Sequence, residues 1–159
     1  MTHSDGTSSY PILILTAVAL IGMVVYRIMA MRKRTREMSE MAGRVGLRPC
    51  PDGTLPLDLS LDGTVFRSWS RLSNIFEGRP NGKEVVVLDF MKRRGRSSWS
   101  RTIIATRTHD PLFDRSAFKL TAEQVGEWQL VYSRVGFFKN SRLMDTGEVE
   151  NLLRGIERS

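Results

Sequence analysis

Residues Tyr10 to Met31, YPILILTAVALIGMVVYRIMAM, restrict this chain more than any other stretch. From Tyr10 to Tyr26 no side chain is charged, and Thr16 is the one clearly polar residue. A helix rises about 1.5 Å per residue, so a bilayer core of about 30 Å takes roughly 20 residues. Tyr10 to Tyr26 falls a little short. The run becomes long enough if it continues to Met31 and Arg27 extends its guanidinium to the headgroups. It reads as a transmembrane helix over 10–31. A cleaved signal peptide carries its basic residues before the apolar run and small residues at a cut site after it. Here the basic residues follow the run and no such site is present. A buried core helix keeps a polar face, and none exists here for about four turns.

Charge sets the expected orientation. Residues 1–9, MTHSDGTSS, contain no Lys or Arg, whereas Arg27, Arg32, Lys33, Arg34 and Arg36 follow closely behind the run. Short basic flanks stay on the cytoplasmic side. The expectation is an inner or plasma membrane protein with its N-terminus outside and everything from Arg32 onward in the cytosol. Tyr10 and Tyr26 suit the two interfaces, and Pro11 suits a first helical turn. Residues 1–9, polar and without periodicity, read as a disordered extracytoplasmic tail.

About 120 residues remain, enough for one domain with a core. The formal net charge of +7 is uneven: five of the 24 basic residues and one of the 17 acids precede Glu37, which leaves 19 basic against 16 acidic residues. The excess is largely juxtamembrane, which argues against a domain built wholly for nucleic acid. The single cysteine, Cys50, excludes an intramolecular disulfide and fits a reducing compartment.

Periodicity divides the rest. Met38, Met41, Ala42 and Val45 form an i, i+3, i+4, i+7 stripe, so a stem helix over 32–46 continues the membrane helix. Gly46 is placed to end it in the left-handed conformation, and Glu40 to Arg44 is an i, i+4 ion pair. The domain then spans 47–159. Arg48–Leu61, with three prolines, reads as an irregular loop that turns at Pro51-Asp52-Gly53, with alternating leucines from Leu55 to Leu61 allowing an extended part. Strands are expected over Thr64–Trp69, Leu72–Gly78, Lys83–Met91, Trp99–Arg107 and Trp128–Ser133. Asn81-Gly82 is a type I′ hairpin signal and Lys92–Ser98 a second turn. Thr121–Gln124 reads as a short helical turn, Gly136 with Phe137 and Phe138 as a last hairpin, and a final helix begins at Asp145 or Thr146. The fold class is α+β: a transmembrane helix, then one antiparallel-sheet domain of about five to seven strands with the stem helix and a C-terminal helix packed on it. A pleckstrin-homology-like half-barrel is a variant of this arrangement.

The order of features from Met41 to Phe138 resembles a group of bacterial single-pass membrane-anchored proteins with a small cytosolic α+β domain. The resemblance rests on Gly46-Leu47-Arg48-Pro49, on the Asn74 to Gly78 step, on Val85–Phe90, on the basic loop and on Thr102–Thr106. It implies architecture and no chemistry.

No G-x-S-x-G, H-E-x-x-H, C-x-x-C pair, P-loop or G-x-G-x-x-G occurs. No catalytic, cofactor or metal residue is nominated, and no cofactor is implied. One His beyond the tail, His109, and one Cys do not make a zinc site. Asp89, inside a strongly apolar strand, needs a donor if buried, and Arg101 on the next strand is the expected one. The expectation is a non-enzymatic binding or scaffold domain, the protein partner unspecified. The alternatives are an enzyme of a class without short motifs, or a domain that contacts anionic lipid headgroups, and less readily nucleic acid, through a basic hairpin of Lys92, Arg93, Arg94 and Arg96 with Arg101 near.

Overall fold

Pro11 in the first turn and an unbroken run of apolar helix formers open α1, which runs Tyr10–Arg44. The computed structural model describes residues 10–50, 54–56, 58–66, 71–94, 97–107, 120–133 and 143–158. The tail over 1–9, the turn at 51–53 and the hairpin at Gly136–Phe138 lie outside the described residues. The chain forms two compact units, Met1–Arg36 and Glu37–Ser159. In the first, the large apolar side chains of α1 up to Met31 are exposed, Ile12 by 72% and Leu15 by 76%. It holds one helix long and apolar enough to cross a membrane.

The second unit takes in the last turns of α1. Met38, Met41, Ala42 and Val45 are buried, as their spacing requires. Gly46 adopts φ +71°, and the helix closes with Leu47 N–H donating to Ala42 O at 2.8 Å and Gly46 N–H to Gly43 O at 3.4 Å. This double bond pattern is a Schellman cap, which satisfies carbonyls that a helix end otherwise leaves open.

Among the described residues six strands follow: β1 Arg48–Pro49, β2 Arg71–Gly78, β3 Val85–Arg94, β4 Ser97–Thr106, β5 Leu120–Val125 and β6 Trp128–Ser133. They make one antiparallel sheet in the order β1-β2-β3-β4-β6-β5, and among the described residues its first and last strands do not pair with each other. The last element is α2, Thr146–Arg158. Asp145 caps it: its Oδ1 accepts from Gly147 N–H at 2.8 Å, while Glu148 Oε2 accepts from the Asp145 N–H at 3.0 Å. Two donors at the helix start are thereby satisfied reciprocally.

Strand β3 is central and covered on both sides, which is why valines occupy both of its faces. On one face Val85, Val87, Ile104 and Val131 meet the stem stripe of α1 together with Val149, Leu152 and Leu153 of α2. On the other, Val86, Leu88, Phe90, Ile103 and Leu130 meet Leu59, Leu61 and Phe66 from the segment before β2. Each such side chain fully buried stabilises the fold by about 1.5–3 kcal/mol before the entropy cost of ordering it.

Two glycine and asparagine positions explain the Asn74 to Gly78 step. Asn74 has φ +50° where the β2–β3 register shifts between Ser73 and Phe76. The bulge adds one residue to β2, three steps from Ser73 to Phe76 against two from Asp89 to Val87, and so brings Phe76 onto the Val87 face. At Gly78 a Cβ would stand 2.8 Å from Leu47 Cδ2 and 2.9 Å from Gly46 O, so β2 can approach the α1 cap only without a side chain.

Several expected elements differ. Thr64–Phe66, expected as strand, is a turn. Gly63 has φ +82°, and the Thr64 hydroxyl donates to Leu61 O at 2.7 Å and accepts from Phe66 N–H at 2.9 Å. The hydroxyl thus takes the backbone donor a ladder would need. Thr121–Gln124, expected as a helical turn, lies in β5, pairing with β6 across Gly126-Glu127. Gly126 has φ +58°, the positive φ that the first position of a tight hairpin turn needs. The β2–β3 connection is a 3-10 turn, Pro80–Gly82, and not type I′: Pro80 sets the turn and only Gly82, at φ +79°, is left-handed. Lys92, Arg93 and Arg94 extend β3, pairing with Trp99, Ser98 and Ser97, so these six residues of the expected turn over Lys92–Ser98 are paired strand instead; residues 95 and 96 lie outside the described residues.

Candidate functional site

The expected Asp89–Arg101 pair does not form, for a reason of register. Asp89 faces Thr102 across the ladder and Phe90 faces Arg101, so the carboxylate and the guanidinium belong to opposite faces of the sheet. Asp89, 4% exposed, instead accepts from Thr102 Oγ1 at 2.7 Å and from Asn74 Nδ2 at 2.8 Å. Thr102 Oγ1 in turn accepts from Met144 N–H at 3.2 Å. The strained Asn74 therefore serves a purpose: its backbone makes the bulge and its side chain reaches the buried carboxylate. This network fastens the approach to α2 onto the sheet.

Arg101 lies among aromatic rings. Its guanidinium carbon is 5.0 Å from the Trp99 ring centre and 5.4 Å from that of Tyr132. Lys92 Nζ is 5.9 Å from the Trp99 centre. Phe66 packs edge-on to Phe90 and to Tyr132, each at 4.9 Å, and Phe90 lies 5.2 Å from Trp99. Ring faces attract cations, and the attraction grows as water is excluded. Burial pushes the Arg101 guanidinium below its usual value, partly offset by Tyr132; a guanidinium so shifted still stays charged at neutral pH. Its Nε is buried without a hydrogen-bond partner, and no ion pair to it is seen among the described residues. Burial likewise pushes the Tyr132 phenol up, reinforced by Glu123, whose Oε2 accepts from the hydroxyl at 3.2 Å.

Of the residues expected at the basic hairpin, Lys92 and Arg101 come together on this aromatic face. Arg93 and Arg94 are in β3, and Arg96 lies outside the described residues. The membrane-flank residues Arg27, Arg32, Lys33, Arg34 and Arg36 all lie within α1.

A feature that sequence reasoning missed is a cleft of about 540 Å³ at one end of the sheet, lined by Arg48, Asp58, Glu77, Arg79, Glu84, Arg107 and Trp128, among others. Arg107 is its centre. It stacks over Trp128 at 5.2 Å, pairs with Glu84 at 2.9 Å and with Asp58, and approaches Glu127 at 3.4 Å; Arg79 also pairs with Glu84. These charges neutralise one another and hold the 58–66 segment against the sheet. Glu84 and Arg107 flank the paired stretch Val85–Thr106 and form a charge pair at its end. Among the described residues no cluster of His, Cys, Asp and Glu could hold a metal ion.

Comparison with protein-family models, with curated proteins and with solved structures returns no match to this chain.

Proposed function

We propose that the chain is a single-pass protein of the inner or plasma membrane, N-terminus outside, whose Glu37–Ser159 unit is a cytosolic, non-enzymatic binding or scaffold domain. The observation that carries this reading is α1. Its apolar side chains from Tyr10 to Met31 are exposed along the whole run, and water is a poor solvent for so continuous a surface. Basic residues follow the run and none precedes it. The binding-domain part is supported by the aromatic face, where charge is held by rings, an adhesive arrangement more than a proton-transferring one. A reporter fused after Ser159 tests the topology. Activity of a cytosol-dependent reporter is expected, and activity of a reporter that works only outside the cytosol would overturn the orientation. Replacing Arg32, Lys33, Arg34 and Arg36 together is expected to give mixed orientation.

A further inference from the structure

Arg101 is an unusual cation for a domain surface. It is partly desolvated, and among the described residues its Nε has no hydrogen-bond partner and its neighbours are rings. Among the described residues it has no anionic partner, and the fork of donors on a guanidinium suits a phosphate. Lys92 brings a second cation to the same tryptophan, so positive charge converges at Trp99. One residue from this ring cluster along the chain is an exposed aliphatic side chain. Val65 is 54% exposed, the one large aliphatic outside α1 so exposed among the described residues, and its neighbour Phe66 lies 6.1 Å from Trp99 between ring centres. Two cations, a half-buried tryptophan and a protruding aliphatic residue match the layers of an anionic bilayer surface: phosphates outside, acyl chains beneath, amphipathic rings between. Single-stranded nucleic acid fits less well, because it needs open ring faces for its bases, and Lys92, Arg101, Phe66 and Phe90 already crowd around Trp99.

We propose that Arg101 and Lys92 at Trp99 form a site for the phosphate of an anionic phospholipid, with Val65 entering the apolar layer beside it. The proposal rests on the anchored reading above. Since α1 provides the attachment, the site would set how the domain lies on the leaflet and not whether the chain stays there.

The test uses the full chain with Cys50→Ser and Val65→Cys, carrying an environment-sensitive dye at position 65. It is reconstituted into vesicles of phosphatidylcholine alone or mixed with phosphatidylglycerol, each containing brominated phosphatidylcholine as quencher. Quenching at 65 is expected to rise with phosphatidylglycerol and to fall with salt. Arg101→Gln is expected to reduce the phosphatidylglycerol-dependent binding about fivefold, and Lys92→Gln by a similar factor. Lys92 lies toward the edge of the aromatic cluster, so its variant keeps the test open if Arg101→Gln does not fold. Equal quenching in both vesicle types, or quenching indifferent to both replacements, would overturn the proposal. So would an Arg101-dependent response to inorganic phosphate in neutral vesicles without quenching, which would assign the site to free phosphate. Displacement by single-stranded RNA without dependence on phosphatidylglycerol would overturn it in favour of nucleic acid. An alkaline wash separates the two levels: a chain that washes off fails the anchored reading, whereas a retained chain without lipid-dependent quenching fails this site alone.

Discussion

The two faces of the sheet are closed by different kinds of chain. Over Val87 and Ile104 lie the end of α1 and the whole of α2; over Leu88 and Ile103 lie the turns from Leu59 to Phe66. The helix-covered face is mostly aliphatic, and its polar residue Asp89 is enclosed in a hydrogen-bonded network. The turn-covered face is aromatic and ends in Arg101, held by rings and without a described carboxylate. Helices bring long apolar stripes and can afford little that is polar beneath them. Turns bring single anchors such as Phe66, leave ring edges partly open, and so tolerate a cation at the rim. Both faces hold the domain together, and the second also leaves a cation at its rim.

Cutting one large side chain from each face sharpens that contrast. Phe66→Ala is expected to cost about 3–5 kcal/mol and Leu153→Ala about 2–5 kcal/mol, both being fully buried. Because the sheet separates them, the double variant should lose the sum to within about 0.5 kcal/mol. Denaturant unfolding of the detergent-solubilised chain measures all three. A coupling well above that would show that the two faces are not independent. Phe66→Ala should also loosen the rings around Arg101, whereas Leu153→Ala should leave them unchanged, as Trp fluorescence can follow.

A smaller effect is expected at Asp89. Asp89→Ala removes the acceptor used by the Thr102 hydroxyl and the Asn74 amide, and should destabilise by about 1–3 kcal/mol. Amide hydrogen exchange at Met144, which donates into the same network, should speed up if the network fastens α2 as described. Unchanged protection there would mean that α2 is held by its apolar stripe alone.

The smallest effect concerns the fastening of the two helices to each other. Glu150 Oε2 accepts from Arg44 Nη2 at 2.7 Å, and Glu150 Oε1 from Arg154 Nη2 at 2.9 Å. These bonds hold the Glu150 carboxyl below its usual range, by the Arg44 bond first and the Arg154 bond second. The same pairing raises the Arg44 guanidinium, and Glu40, four residues earlier, adds a through-space attraction. A depressed carboxylate contributes stability that is present above its unfolded value of about 4.3 and is lost as pH falls through the lower folded value. Glu150→Gln should therefore lower the melting temperature slightly at neutral pH, and the difference from the parent chain should close in acid. A difference that persists in acid would assign the effect to packing instead of charge.

Much of the frame was legible before any coordinates. An apolar run without a polar face, the Met38–Val45 stripe, Gly46 as a left-handed stop, the valine-rich strand and the Asp145 cap each follow from local rules that tertiary context did not override. The candidate site is half legible: the hairpin pattern brings Lys92 near Arg101, whereas the Trp99 and Tyr132 rings around Arg101 follow from the register of β3, β4 and β6. The assignment of Asp89 to Arg101 failed because it treated neighbouring residues as neighbours in space without asking which way each pointed.

What the sequence determined by itself is whatever depends on period and on backbone chemistry within a few residues: where helices run, where they stop, and that a sheet follows. What only the tertiary structure decided is whatever depends on a partner far along the chain. Thr121–Gln124 became a strand because β6 offered a ladder, and that gain outweighed a weak local preference for a helical turn. Thr64–Phe66 became a turn because Phe66 had a place to fill beneath Phe90 and Tyr132. Arg107 met Asp58, and Arg101 met Tyr132, across separations that no local pattern encodes. Side chains on a sheet alternate with a period of two, so a single step of register decides which groups share a face, and register is fixed only when both cores close at once.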